Sequence, residues 1–523
     1  MWTVKQCLSP FRQLLNYLLH PSVASIPAFA LLFVAFRKRF NIRTRNMPST
    51  PNDQPVEIAI VGGGIIGLIL ALGLIRRNVN VKIYEQARSF REIGAGVAFT
   101  ANAIRCMGMI EPGIVTALRA VATSNGDPKE PNDWLRWVDG FTQPTADDRE
   151  EKLLFKLYAG PRGFEGCYRA HFLDELVKIN PPGVVEFNER LDTLSQPPNQ
   201  PIHLHFTDST SATADALIGC DGTKSRVRQL LLGSSSPSSH PNYAHKIAYR
   251  GLIPMPAAIA TLGTYKATNQ HMHIGPGAHI LHFPVASHTL LNVVAFATDP
   301  SPWPHRHTMT APAKRHEVEA IFKDWAPTVK EITRLLPDDL DKWAIFDSYD
   351  YPAPFYSQDR ICIAGDAAHA ASPHHGAGIG IGVEDALCLS TLLDLALTSL
   401  KPPHPPTKNA LLSAALSTFS SVRKKRSQWL VNSSRTVCEV YEWNDALTGS
   451  DPEKCFKEAE GRSLRIWDFD IEGMLGEARE GFERRVEGMG DEIKGEGEID
   501  GMSGGGMMDD LKAEGVKGTY GGR

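Results

Sequence analysis

Residues 56–61 read as a buried strand that passes through Gly62-Gly63-Gly64-Ile65-Ile66-Gly67 straight into an apolar, helix-like stretch over 65–77. Gly62, Gly64 and Gly67 make G-x-G-x-x-G. Its glycines serve a tight turn, close approach of backbone to a pyrophosphate, and close helix–strand packing. A chain built this way is committed to a βαβ unit with an anion at the helix N-terminus, where unpaired N–H groups and the helix dipole favour negative charge. A second strand over 79–84 ends at Glu85, eighteen positions after Gly67. An acid there accepts hydrogen bonds from an adenosine ribose and repels a 2′-phosphate, which favours FAD or NAD over NADP at this site.

Glycine-rich βαβ units do not separate NAD from FAD, and two further segments decide. Residues 216–220 read as a buried strand running into Asp221-Gly222, and 360–364 as another ending at Gly365-Asp366. A carboxylate at a strand's C-terminal edge can accept a hydrogen bond from a ribitol hydroxyl. Pro373-His374-His375-Gly376-Ala377-Gly378 then enters a helix through Val383 and Leu387. Backbone N–H groups at that helix start would face the electron-rich side of a reduced flavin and stabilise its charge. The three segments together point to FAD and hence to oxidation chemistry.

On these residues the chain resembles the group A flavoprotein monooxygenases, whose dinucleotide fingerprint, "DG" and "GD" motifs they match. The branch it resembles is the salicylate hydroxylase-like enzymes, including fungal polyketide-tailoring hydroxylases. Phe90 through Ala98 with Asn102-Ala103, Cys167-Tyr168-Arg169-Ala170, and Ala248-Tyr249-Arg250-Gly251 extend the likeness over roughly residues 56–470. The resemblance implies a single-component enzyme in which NAD(P)H reduces FAD, O2 forms a C4a-hydroperoxyflavin, and an electron-rich aromatic substrate takes one oxygen atom, with dearomatisation of a polyketide in some members. It implies FAD contacts at Gly62, Gly64, Gly67, Glu85, Ala98, Arg169, Asp221, Asp366, Pro373, Gly376, Gly378 and Ile379. Arg250 matches an arginine that binds phenolate in dearomatising members; a fixed cation beside a phenol oxygen would make the ring a better nucleophile. The alternative for Arg250 is a structural role, pairing with an acid or supporting the sheet. Some relatives carry a tyrosine where this chain has Phe283; Tyr158 or Tyr168 would have to replace that hydroxyl from another wall. Two other functions stay open: a flavin-dependent epoxidase or oxidase of a non-aromatic substrate, and a non-catalytic, membrane-anchored flavoprotein.

The fold expected is α/β in its cofactor part and α+β overall: a Rossmann-like FAD-binding domain interleaved with a substrate domain on an antiparallel sheet, then C-terminal helices. The FAD domain is placed at 53–135, 151–235 and 345–400, the substrate domain at 136–150 and 236–344, and the helices at 401–487. Strands are expected over 246–253, 271–274, 279–285 and 290–297, and helices over 314–325 and 328–336. With 523 residues, 42% hydrophobic and 22% charged, and a net charge of −4, the chain is large enough for two domains and gives no sign of a nucleic-acid partner. Its eight cysteines show no C-x-x-C pair or metal-ligand spacing, which points to a reducing compartment. No metal site is expected: His271 and His273 alternate along a strand, and His369, His374 and His375 belong to the flavin-binding turn. Arg423-Lys424-Lys425-Arg426 reads as a solvated helix face.

The ends differ from the body. Between Arg12 and Arg37 there is no charged residue, and a segment at about 15–36 is long enough to cross a bilayer. Five basic residues follow it, which would leave the catalytic body in the cytosol. The same acid-free residues 1–52 also fit a mitochondrial presequence, or a natural start at Met47 that would leave a cytoplasmic protein. Residues 488–523, rich in Gly, Asp, Glu and Lys, read as a disordered tail. Oligomeric state is left open.

Overall fold

In the computed structural model, strand Glu57–Val61 lies inside a six-stranded sheet. Its neighbours, both parallel to it, are Asn80–Glu85 and Ala216–Gly219, and Ile361–Ile363 pairs parallel on the far side of the latter. The three motif strands and the Glu85 strand are therefore adjacent. Gly62, Glu85, Asp221 and Asp366 all leave the same C-terminal edge, which is where open α/β sheets bind ligands. Helix Ile65–Arg76 is apolar all round because both its sides are covered: Ile65 and Leu68 through Leu74 are buried. It sits between the sheet and helix Gly378–Thr398. A Cβ on its Gly73 would come within 3.1 Å of Ser390 on that helix.

The structure describes residues 55–90, 96–127, 130–131, 134–143, 151–159, 165–305, 308–400 and 406–499. The membrane span expected at 15–36 and Cys7 lie outside them, as does most of the C-terminal tail. Among the described residues no helix is long and apolar enough to cross a membrane, and the seven described cysteines are all free.

The second large sheet has eight strands, and its middle is antiparallel: Asp339–Asp347, Asn242–Pro254, Leu290–Thr298, Ala278–Val285 and His271–Gly275 follow one another. Trp134–Asp139 joins His271–Gly275 in parallel, and Leu153–Tyr158 closes that edge. Residues 134–135 and 153–158 thus share this sheet, although the expected boundaries assign them to the FAD-binding domain. The reason is alternation: Phe155 and Leu157 face inward against the C-terminal helices while Lys156 and Tyr158 face solvent. The sheet also contains Asp339–Asp347 and Thr310–Lys314, and helix Met255–Thr268 covers one face; none of these was anticipated. The two expected helices are present but shorter, at Arg315–Ile321 and Pro327–Arg334.

Three helices, Lys408–Tyr441, Pro452–Trp467 and Ile471–Ile499, follow. The last runs eleven residues past the expected start of disorder at 488. Once Ile471, Met474, Ala478 and Phe482 are anchored on the body, propagation adds one hydrogen bond per residue, and no proline stops it.

The basic run at 423–426 is only partly a solvated face. Arg423 is fully buried, between Glu384 and Asp385 at 2.8 Å each, and Arg426 reaches Glu384 at 3.0 Å. Helical periodicity turns Arg423 inward with Phe419 and Ser427, all three buried, and leaves Lys424 to bond the Pro354 carbonyl at the surface.

Candidate active site

Two hollows that share Arg169 in their walls follow from this arrangement. The first is a groove of about 880 Å³ lined by Gly62, Gly63, Gly64, Glu85, Arg169, Asp221 and Gly222 among others. Gly62 sits at φ +105, and a Cβ there would lie 2.5 Å from the Cys220 carbonyl oxygen. The fingerprint turn therefore rests directly on the Asp221 strand, and only glycine permits it. A Cβ on Gly67 would fall 2.1 Å from the Gly62 oxygen, whereas one on Gly64 would meet nothing within 4 Å. The first two contacts serve packing, and the third leaves backbone open to a ligand. Glu85 accepts from the Gly63 and Ala87 N–H groups at 2.7 and 2.8 Å, which fixes its carboxylate beside that opening.

Helices differ in how their first turns are satisfied, and several, Ala101–Ile110 and Pro327–Arg334 among them, carry no side-chain cap. Helices Arg226–Leu232, Lys408–Tyr441 and Pro452–Trp467 carry side-chain caps from Ser225, Thr407 and Asp451. Helices Ile65–Arg76 and Gly378–Thr398 have no side-chain cap and no acid in the first turn. Their orphan N–H groups need an outside partner, and both helix starts line hollows. The residues present thus fit a dinucleotide whose pyrophosphate lies at the first helix and whose ring system lies at the second. Asp221 does its work locally. It accepts from Ser225 Oγ and from the Arg226 and Val227 N–H groups, tying the "DG" turn to the next helix. Arg228, to which no role was assigned, bonds the Ala367 and Ala368 carbonyls and Ser348 from that same helix. It joins the "DG" and "GD" segments.

The second hollow is a cavity of about 320 Å³ beneath the eight-stranded sheet. Its roof is a cross-strand row set by the register: Trp137 opposite Met272, Met272 opposite Leu281, Leu281 opposite Val294, Val294 opposite Arg250. Phe283 and Phe296 flank the row. The opposite wall is Ala98, Asp366 and the Pro373–Ile379 turn, with Tyr441 and Trp467 from the C-terminal helices. The seam between the halves is tight. Gly96 N–H donates to Asn292 at 3.1 Å, and a Cβ on Gly96 would press to 2.9 Å on Phe283.

A profile of the FAD binding domain family matches residues 55–402. Over 437 residues the chain is 52% identical to an FAD-dependent monooxygenase, eupB, of Phoma sp, covering 81% of this chain and 97% of that protein. It is 49% identical to the salicylate hydroxylase asL1 of Sarocladium schorii, over 83% of this chain and 93% of that one. A solved salicylate hydroxylase substrate complex is 30% identical with a TM-score of 0.70, over 81% of this chain and 98% of the other. The chain belongs to the FAD-dependent monooxygenases of salicylate hydroxylase type.

In this monooxygenase Ala98, Arg169, Arg250, Asp366, Pro373, Gly376, Gly378 and Ile379 share the cavity, while Gly62, Gly64, Glu85 and Asp221 line the groove and Arg169 touches both. Gly67 lies beneath the turn it shapes. Arg250 is half-buried, its guanidinium 4.8 Å from the Trp343 ring centre, and its Nε is sealed from solvent without a hydrogen-bond partner. Among the described residues no carboxylate pairs with it. Burial, and then the like charge of Arg169, pull its pKa down to about 10, so it remains a cation at neutral pH. Neither tyrosine considered as a substitute for the hydroxyl missing at Phe283 enters the cavity. Tyr158 is 48% exposed on the edge strand, and Tyr168 lines a separate groove that Arg250 also borders. The tyrosine that does line the cavity is Tyr441, buried at the end of helix Lys408–Tyr441.

The "GD" turn is held from behind. Asp385 Oδ2 accepts from the Gly365 N–H at 3.0 Å and meets His369 Nε2 at 2.6 Å, while Oδ1 takes Arg423 Nε at 2.8 Å. His369 and then Arg423 overcome the cost of burial and hold Asp385 at about 2. The histidines are more organised than expected. His374 Nδ1 is 3.3 Å from His279 Nε2, and His279, His374 and Cys438 bring possible ligand atoms within 4.8 Å of one another. Lys246, ion-paired to the adjoining Glu442, already places positive charge there.

Proposed function

We propose that this monooxygenase hydroxylates an electron-rich phenolic substrate, with O2 as oxidant and NAD(P)H as the source of electrons. The observation that carries this reading is Arg250: a cation with no carboxylate partner among the described residues, at the end of an apolar row, in the cavity that also holds Asp366 and the Pro373–Ile379 turn. Bound FAD would supply reduced flavin that activates oxygen; everything else is the chain's own task. Arg250 receives the phenol oxygen as phenolate and raises the electron density of the ring. Trp137, Met272, Leu281, Val294 and Phe296 clamp the ring face and exclude water. Tyr441 offers the one tyrosine hydroxyl on that wall among the described residues, in place of the one absent at Phe283. The uncapped start of helix Gly378–Thr398 stabilises negative charge on whatever ring lies against it. The naming of relatives as salicylate hydroxylases supports an aromatic substrate for this chain as well.

The test is NAD(P)H oxidation by the purified yellow protein against a panel of phenols, with mass detection of an added oxygen atom. In Arg250→Met the flavin content should be unchanged. Phenol-stimulated turnover should fall by roughly thirtyfold or more, as for the loss of one partner of a buried charged contact worth about 2–5 kcal/mol. Unchanged turnover would remove Arg250 from the site. Equal oxidation of non-aromatic olefins would favour the epoxidase alternative.

A further inference from the structure

One buried set of ionisable groups has no part in the chemistry above. Glu442 immediately follows helix Lys408–Tyr441 and is fully buried. Its Oε1 meets His279 Nδ1 at 3.2 Å, and its Oε2 takes the Lys246 ammonium and the Thr298 hydroxyl. Lys246 reaches that position through an irregularity: the pairing of its strand with Asp339–Asp347 slips between Tyr243 and Ile247, and His245 sits at φ +55. Such bulges re-aim side chains beside active sites. On its other side the Lys246 ammonium is 3.0 Å from Glu439, whose side chain is 41% exposed.

The hydrogen-bond directions follow from one ionised carboxylate. Glu442 can only accept, so His279 donates through Nδ1 and its Nε2 carries the lone pair. His374 must then donate through Nδ1, which leaves His374 Nε2 as a lone pair. That nitrogen is buried without a partner, on a residue that lines the reaction cavity. Facing His374 are His279, Lys246, His375 and Arg435; facing Glu442 are His279, Lys246, Cys438 and Glu439. A purely structural tie between helix and sheet is complete with Lys246 and Glu442. It gives no reason for two imidazoles in series ending on an orphan nitrogen in the cavity wall.

We propose that His374, His279 and Glu442 form a proton path from the cavity to the surface at Glu439, which removes the proton a phenol loses as it binds at Arg250. This rests on the phenolic reading above. The phenol O–H breaks and an N–H forms at His374 Nε2. The His374 Nδ1 proton moves to His279 Nε2, and the His279 Nδ1 proton to Glu442. Lys246 first gives one of its protons to Glu439, which releases it to water, and the neutral amine this leaves takes the proton from Glu442. His374 touches substrate; His279, Glu442 and Lys246 act through it.

The experiment uses the full-length, FAD-loaded enzyme and 4-nitrophenol, whose ionised form is coloured. Enzyme and phenol are mixed rapidly at a pH where the free phenol is protonated; phenolate absorbance and proton release to a soluble indicator are followed. In the wild type both should appear with binding. In Glu442→Gln and His279→Phe the phenolate phase should be slower by roughly a hundredfold, the scale of a positioned proton-transfer group. It should slow again in D2O and be restored by added imidazole, with flavin content and final phenolate amplitude unchanged. His279→Phe retains a ring against Phe296, on which His279 is stacked at 4.6 Å, and decides the matter if Glu442→Gln does not fold. Wild-type phenolate kinetics in His279→Phe would overturn the path, as would binding of 4-nitrophenol by the wild type without ionisation. Failure of the phenolic reading shows separately, as no oxygen inserted into any phenol, because the ionisation trace needs no oxygen insertion.

Discussion

Replacing Arg423 with Met should damage the flavin site from more than one layer away. Arg423 gives Nε to Asp385 and Nη2 to Glu384, both at 2.8 Å, with all three side chains fully buried. Removing one member of a buried ion pair leaves an uncompensated charge and costs about 3–5 kcal/mol. Glu384 keeps Arg426 and Asn102; among the described residues Asp385 keeps His369 and the Gly365 N–H. A second estimate comes from titration. Asp385 is held at about 2 against an ordinary 3.8, and at about 1.4 kcal/mol per pH unit this contributes roughly 2 kcal/mol at neutral pH. The folded value is depressed, so that stability is complete above the ordinary value and lost as pH falls from about 4 toward 2. In Arg423→Met the acid limb should shift to higher pH. The urea midpoint should drop, and the protein should emerge from desalting with less FAD, because the Gly365–Asp366 turn loses its rear support. Arg423→Lys should fall between the two, keeping charge but not the fork. An Arg423→Met protein with full flavin content and stability within about 0.5 kcal/mol of wild type would refute the reasoning.

Gly62→Ala combines a φ of +105 with a 2.5 Å approach to backbone. The strain alone costs about 1–3 kcal/mol, and the protein should purify colourless; a yellow Gly62→Ala enzyme would count against the groove as the cofactor site. Trp343→Leu removes the ring beneath the Arg250 guanidinium, worth about 0.5–2 kcal/mol. It should raise KM for the phenol while leaving flavin content alone. Burial, and then neighbouring His273, hold His271 at about 3, and His282 is also pushed well below its ordinary 6.5. Both are buried neutral, so the stability they contribute is complete above about pH 6.5 and drains as pH falls, for His271 toward 3. At pH 5 His271 alone should cost about 2 kcal/mol, measured as a fall in the urea midpoint between pH 7 and 5 that His271→Asn reduces.

The cofactor half was legible because each of its parts is local. Gly62, Glu85, Asp221 and Asp366 each end a short apolar strand, and parallel sheets deliver strand ends to one edge whatever the order of strands. The substrate half was not, for the opposite reason. Trp137, Met272, Leu281, Val294 and Arg250 meet only through the register of five strands, and His271–Gly275 and Ala278–Val285 are buried along almost every residue. A strand covered on both faces shows no alternation, so nothing in its sequence says which residues share a wall. Tyr441 was missed because it arrives from a helix far down the chain.

Arg423 is the instructive case, since a signal for it was present. Four consecutive basic residues look like a charged surface if they are taken as a block. Taken by helical spacing, Leu412, Leu416, Phe419, Arg423, Ser427 and Leu430 recur every three or four positions, and all are buried. A charge standing in an apolar stripe requires a counter-charge from the facing element, and helix Gly378–Thr398 carries Glu384 and Asp385 side by side. The stripe and the acidic pair can both be read from sequence; that they face each other cannot. The pairing matters for function because Asp385 also holds the Gly365 N–H. A charge balance between two buried helices thereby fixes where Asp366 stands in the cavity, and a defect in either helix should appear first as loss of flavin.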